Sequence, residues 1–147
     1  MSYSTIEDLL EEFSDAELAR ISGDPDGAVI DTIRVKHAIE AADAVIDSYL
    51  SGSYDVPFSG EINPIIRKIS LDLTVGNLYD YHHKNSMVPS TIIYRKLNAF
   101  KLLKEMQKGN LRLAGTAPGT DAPPLILSNK ETTERIFTND LLDQFSK

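Results

Sequence analysis

Residues 42–58 read ADAVIDSYLSGSYDVPF, residues 63–73 read NPIIRKISLDL and residues 77–81 read NLYDY. Before Ser51 the apolar positions Val35, Ala38, Ile39, Ala42, Val45, Ile46 and Tyr49 recur at three- and four-residue intervals, which is one face of an α-helix. Gly52, Pro57 and Gly60 stop that helix from continuing. Asn63-Pro64 then writes a fresh start, with Asn as the N-cap and Pro at the first helical position. The stretch therefore predicts two packed helices, from about Asp31 to Leu50 and from Asn63 to about His82, joined by an ordered elbow that carries Tyr54 and Phe58. The second helix has Ile65, Ile66, Ile69, Leu71, Leu73, Val75, Leu78 and Tyr79 around most of its circumference, the pattern of a central helix. Gly76 in its middle costs about 1 kcal/mol relative to Ala and points to close helix packing there.

Toward the N-terminus, Ser4-Thr5-Ile6-Glu7 and Ser14-Asp15-Ala16-Glu17 both read as capping boxes. They predict a first helix with Ile6, Leu9, Leu10 and Phe13 on one face, a break at Ser14, and a short helix through Leu18 to Ile21. Ser22 to Ala28 is a turn cluster. Toward the C-terminus, Pro89-Ser90 opens a last long helix that ends before Gly109. Its spacing predicts Ile93, Leu97, Phe100, Leu103 and Met106 inward, with Lys96, Lys101, Lys104 and Lys108 outward. Leu111-Arg112-Leu113 alternates like a short extended piece, and residues 114–124 hold the glycines and prolines of a linker. Beyond it, Thr138 can cap a short turn that presents Leu141, Leu142 and Phe145. The fold class is thus all-α: a small helical bundle with long central helices over residues 1–110, followed by a linker and an extended C-terminal docking arm over 111–147.

The 147 residues favour one domain, long enough to bury roughly 70% of its unfolded surface. No cysteine is present, which excludes disulfides, thiolate zinc sites and cysteine nucleophiles. No apolar run approaches the roughly 18 residues of a membrane helix, and Met1-Ser2-Tyr3-Ser4 does not open a signal peptide. The net charge of −7 is unevenly spread. Residues 1–60 hold 13 acidic and 3 basic side chains, a balance of −10, whereas residues 61–147 hold 9 and 12, a balance of +3. Opposite signs at the two ends suit head-to-tail self-association, as against an acidic solvated face beside an ordinary basic helix. The acidic whole argues against general nucleic-acid binding.

No constellation writes a catalytic centre. Asp24-Pro25-Asp26-Gly27-Ala28 with Asp31 invites a calcium loop, but the fifth, sixth and twelfth positions are Ala28, Val29 and Val35, so an Asx-type turn is the better reading. His82 and His83 are adjacent rather than four apart, unlike the ligands of a metal-binding helix. Walker, Rossmann and nucleophile-elbow motifs are missing from the sequence. The expectation is a protein without enzymatic activity, cofactor or metal. Arg67, Lys68, Lys101, Lys104 and Lys108 form a candidate basic surface able to touch phosphates. Phe137, Leu141, Leu142 and Phe145 form a candidate assembly interface, because a linker cannot bury them itself and each gains roughly 1.5–3 kcal/mol on burial. They should dock back on the bundle or on a neighbouring protein.

The order and spacing of several segments resemble those of the phage Mu-type head–tail connector family. The segments are Ser4 to Leu9, the Asp-rich turn before Ile30-Asp31, the Ala41-Asp43-Ile46-Asp47-Tyr49-Leu50 stripe, the Tyr54-Asp55-Val56-Pro57-Phe58 elbow, and Pro64 to Asp72 with Arg67. The resemblance runs from residue 3 to about 110 and returns in Arg135, Phe137, Thr138, Asp140, Leu142 and Phe145; the Pro-rich insertion after Gly115 departs from it. It implies a helical-bundle subunit of a ring at the portal vertex, through which DNA passes. The partners implied are other copies of itself, portal and tail-side phage proteins, and weak non-specific contact with channel DNA, with no membrane. The implied location is the virion, and the host cytoplasm during assembly. The rival reading is a small helical regulatory or nucleic-acid-binding domain, disfavoured by the acidic N-terminal half. An enzyme with a carboxylate site is a weaker third.

Overall fold

The computed structural model describes residues 2–82 and 87–113. Five helices follow one another: α1 Ile6–Glu12, α2 Asp15–Ser22, α3 Thr32–Leu50, α4 Pro64–His82 and α5 Ser90–Gln107, with no strand among the described residues. The all-α class expected from the sequence is the class observed.

α4 is the axis of the bundle: α3, α5 and α2 all pack on it. The reason is the distribution of its apolar side chains, which surround the helix and leave eleven of its nineteen residues buried. Around α4 the core forms two clusters. One, at the elbow end, joins Ala42, Ile46 and Leu50 of α3 to Ile66, Ile69 and Leu73 of α4 and to Ala99, Leu103 and Met106 of α5. The other, at the end where α1 and α2 lie, joins Leu9, Leu18 and Ile21 to Val35, Ile39, Val75, Leu78 and Ile92. At Gly76 the close neighbour is the Lys96 aliphatic stem; a Cβ there would lie 2.9 Å from its Cδ.

The helix starts follow local chemistry. Ser14 Oγ accepts from Glu17 N–H, Asp31 Oδ1 from Arg34 N–H and Asn63 Oδ1 from Ile65 N–H. Asp24 makes the Asx-type turn, accepting the N–H groups of Asp26, Ala28 and Val29. The bonds from Val29 and Ala28 hold its carboxyl below the usual range. In the elbow, Tyr54 is buried and packs edge-on against Phe58. After α5 the chain stays with the bundle as far as Leu113, which is buried in the elbow-end cluster.

Two sequence expectations are corrected. The first helix is capped by Thr5, not Ser4, in a reciprocal box with Asp8 rather than Glu7. Ser4 is buried instead, and its hydroxyl bonds to Ser70 Oγ at 2.8 Å, so a tertiary partner outbids the local one. In α5, Ile93 and Leu97 do not face inward. The buried stripe is Ile92, Ala99, Leu103 and Met106, and Ile93 and Leu97 are 46% and 58% exposed.

Candidate assembly surfaces

The side chains that hold the bundle's shape form two polar junctions. At the elbow end the N-terminal segment is stitched across three elements. Tyr3 N–H donates to Asp43 Oδ2 at 3.1 Å, and Ser70 Oγ–H donates to Asp43 Oδ1 at 2.8 Å. The Tyr3 hydroxyl donates to Asp47 and accepts Phe58 N–H at 3.1 Å, with the two rings 5.7 Å apart. Burial pushes the Asp43 carboxyl up, against the pull of its bonds from Ser70 and Tyr3. Burial, and then the bond to Asp47, pushes the Tyr3 hydroxyl up as well. The Asp43 and Asp47 carboxylates on α3 are thus structural acceptors that fix the chain's beginning and the elbow against one helix.

The second junction ties α1 to α4 and α5. Asp72 is nearly buried on α4 and accepts from Arg95 at 2.7 Å and from Lys68 Nζ at 2.7 Å. The same guanidinium reaches Glu12 Oε2 at 2.5 Å and lies over the Phe13 ring. Two carboxylates converging on one half-buried arginine make this a geometric clamp.

The candidate basic surface is divided by this arrangement. Lys68 is committed to Asp72, and Lys108 lies 3.8 Å from Glu105. Arg67, Lys101 and Lys104 are exposed and make no ion pair among the described residues. Lys101 and Lys104 share the outward face of α5. The structure does not merge the five into one patch on a single element: two stand on the first turns of α4, two along α5, and Lys108 caps the C-terminal end of α5. The candidate interface Phe137, Leu141, Leu142 and Phe145, and His83 with it, lie outside the described residues.

Sequence reasoning missed a second kind of surface. The outward face of α5 carries Ile93, Leu97 and Tyr94, the last 72% exposed. Beside it a groove of about 260 Å³ is lined by Val88, Ile92, Ile93, Leu97 and Phe100, with the Lys96–Asp80 ion pair at its edge. A larger hollow of about 450 Å³ lies between α3 and α4, lined by Ile33, Arg34, His37, Ala38, Leu78 and Tyr81. Arg34 stacks on the Tyr81 ring at 4.3 Å, so one wall of that hollow is already packed by the chain itself. The signal that could have found the α5 face was present in the spacing. Ile93, Leu97, Lys101 and Lys104 follow one another at steps of four, four and three residues, so the two sets share a face.

Among the described residues no group of three or more His, Asp or Glu side chains is placed to hold a metal ion, and no helix is long and apolar enough to cross a membrane. The family model described as Bacteriophage Mu, Gp36 matches residues 3–126. The match takes in every described helix and runs on into the Pro-rich segment, ending before the apolar tip. No curated protein matches the chain.

Proposed function

The chain belongs to the bacteriophage Mu Gp36 family and is a phage protein, and on that premise we propose that it is a structural head–tail connector subunit. Copies form a ring at the portal vertex, around the channel through which DNA passes. The partners are neighbouring copies, the portal and tail-side proteins; the work is geometric and involves no catalysis. The location is the virion, after assembly in the host cytoplasm.

The observation that carries this reading is the family match over residues 3–126. The fold supports it: a helical bundle braced around the middle of α4 by Asp72–Arg95–Glu12 and by Tyr3–Asp43–Ser70 is a unit suited to repetition around an axis. The separation of an acidic N-terminal half from a basic C-terminal half supports head-to-tail contacts between copies. Free Arg67, Lys101 and Lys104 give a weakly basic surface of the sort that tolerates passing DNA without holding it.

The test is localisation in particles. A tagged copy should co-purify with virions and with portal complexes, and electron microscopy should place it as a ring at the vertex. A tagged copy absent from both, in a host where particles form, would overturn the proposal.

A further inference from the structure

On its outward side α5 carries one stripe with two halves. Ile93 and Leu97, with Tyr94 beside them, come first; Lys101, Lys104 and Lys108 follow at the same three- and four-residue intervals. The apolar half borders the groove lined by Val88, Ile92 and Phe100. Apolar side chains exposed together beside an apolar groove offer a docking partner a site. Whatever covers it should be apolar, should be short enough for a groove of this size, and should carry acidic side chains toward the lysines.

One segment of the same chain has those properties. Residues 137–145, FTNDLLDQF, combine Phe137, Leu141, Leu142 and Phe145 with Asp140 and Asp143 and contain no basic residue. Their reach fits. Leu113 is anchored in the elbow-end cluster with Leu103 and Met106, beside the C-terminal end of α5. From Met106 back to Leu97 is about 14 Å along the helix. The chain between Leu113 and Phe137, rich in Gly and Pro, spans on average about 27 Å if flexible, more than enough to return to the groove. A tether of that length presents the tip to its own α5 at an effective concentration on the order of millimolar. We propose that the exposed stripe of α5 is the docking site of the C-terminal tip of the same copy. The apolar side chains fill the Ile93–Leu97–Phe100 groove, and Asp140 and Asp143 meet Lys101 and Lys104. In a free subunit this covers an exposed apolar surface otherwise open to association.

The native chain has no cysteine, so a pair introduced into the full-length protein is the only thiol pair present. Leu97→Cys with Leu142→Cys, oxidised at micromolar concentration, should give an internal disulfide that runs as a compact monomer on non-reducing gels. It should form at least about 10-fold faster than in a control chain carrying Glu11→Cys on α1 with Leu142→Cys. Leu97 and Glu11 are both exposed, so neither substitution disturbs the core. Equal rates in the two chains would overturn the proposal. So would a disulfide found only between copies, which would give the groove to a neighbour's tip.

Discussion

α4 and α5 lie side by side, are of nearly equal length and are both rich in apolar residues, yet they do different work. α4 buries eleven residues and meets three other helices; α5 buries four and turns a second apolar stripe to solvent. The difference lies in position. A helix enclosed on all sides can bury any apolar side chain it carries, and even its Asp72, Ser70 and Thr74 are taken inside. A helix at the side of a bundle buries one face, and apolar residues beyond that face remain for another partner.

The sharpest way to break this comparison is a matched pair of truncations. Leu73→Ala on α4 should cost about 2–5 kcal/mol, since it opens a cavity in a closed core. Leu97→Ala on α5 should stay within about 0.5 kcal/mol in the isolated bundle. Denaturant unfolding of both variants reads the contrast directly; equal losses would show that the α5 stripe is core after all.

The clamp between the two helices comes next. Asp72→Ala leaves Arg95 without its α4 partner and should cost about 2 kcal/mol, partly recovered in Asp72→Asn, which keeps an acceptor for the guanidinium. Thermal unfolding should order the three chains as native, Asn, Ala.

A smaller, pH-dependent effect belongs to Asp43. Its folded-state pKa is raised, so the ionised carboxylate is the form that folding disfavours. Stability from this group is therefore fullest below the ordinary aspartate pKa and is lost as pH rises through the raised value. Relative to Asp43→Asn, the native chain should gain stability as the pH falls toward the ordinary aspartate range. A constant gap between the two as the pH falls would contradict the buried-charge account.

The smallest effect is expected inside α4 itself. Thr74 Oγ1 is buried with no hydrogen-bond partner among the described residues. Thr74→Val keeps the shape and removes the unpaired hydroxyl, so it should be neutral or stabilising by up to about 1 kcal/mol in urea unfolding.

Much of this was legible in the chain. The α4 start at Asn63-Pro64, the break at Ser14, the Asx turn at Asp24 and the central place of α4 all follow from cap chemistry and apolar spacing. These are short-range effects, decided within four or five residues. The family, too, was legible, in segment order rather than in any one motif. The register of α5 was not, because two stripes compete there. Ile93, Leu97 and Phe100 have helical spacing as good as that of Ile92, Ala99, Leu103 and Met106. The choice between them depends on which side α4 occupies, and α4 packs on the side that carries Ala99, Leu103 and Met106.

The sequence by itself determined the all-α class, the number and limits of the long helices, and the absence of thiol chemistry, since each rests on local propensity or composition. Only the tertiary structure decided that Ser4 leaves its cap for Ser70, that Asp43 and Asp47 serve the N-terminal segment, and that Arg95 joins Glu12 to Asp72. These partners stand between 23 and 83 residues apart in sequence. No local pattern encodes such a pairing; it arises when packing around α4 brings the polar groups together and burial makes it costly to leave them unpaired.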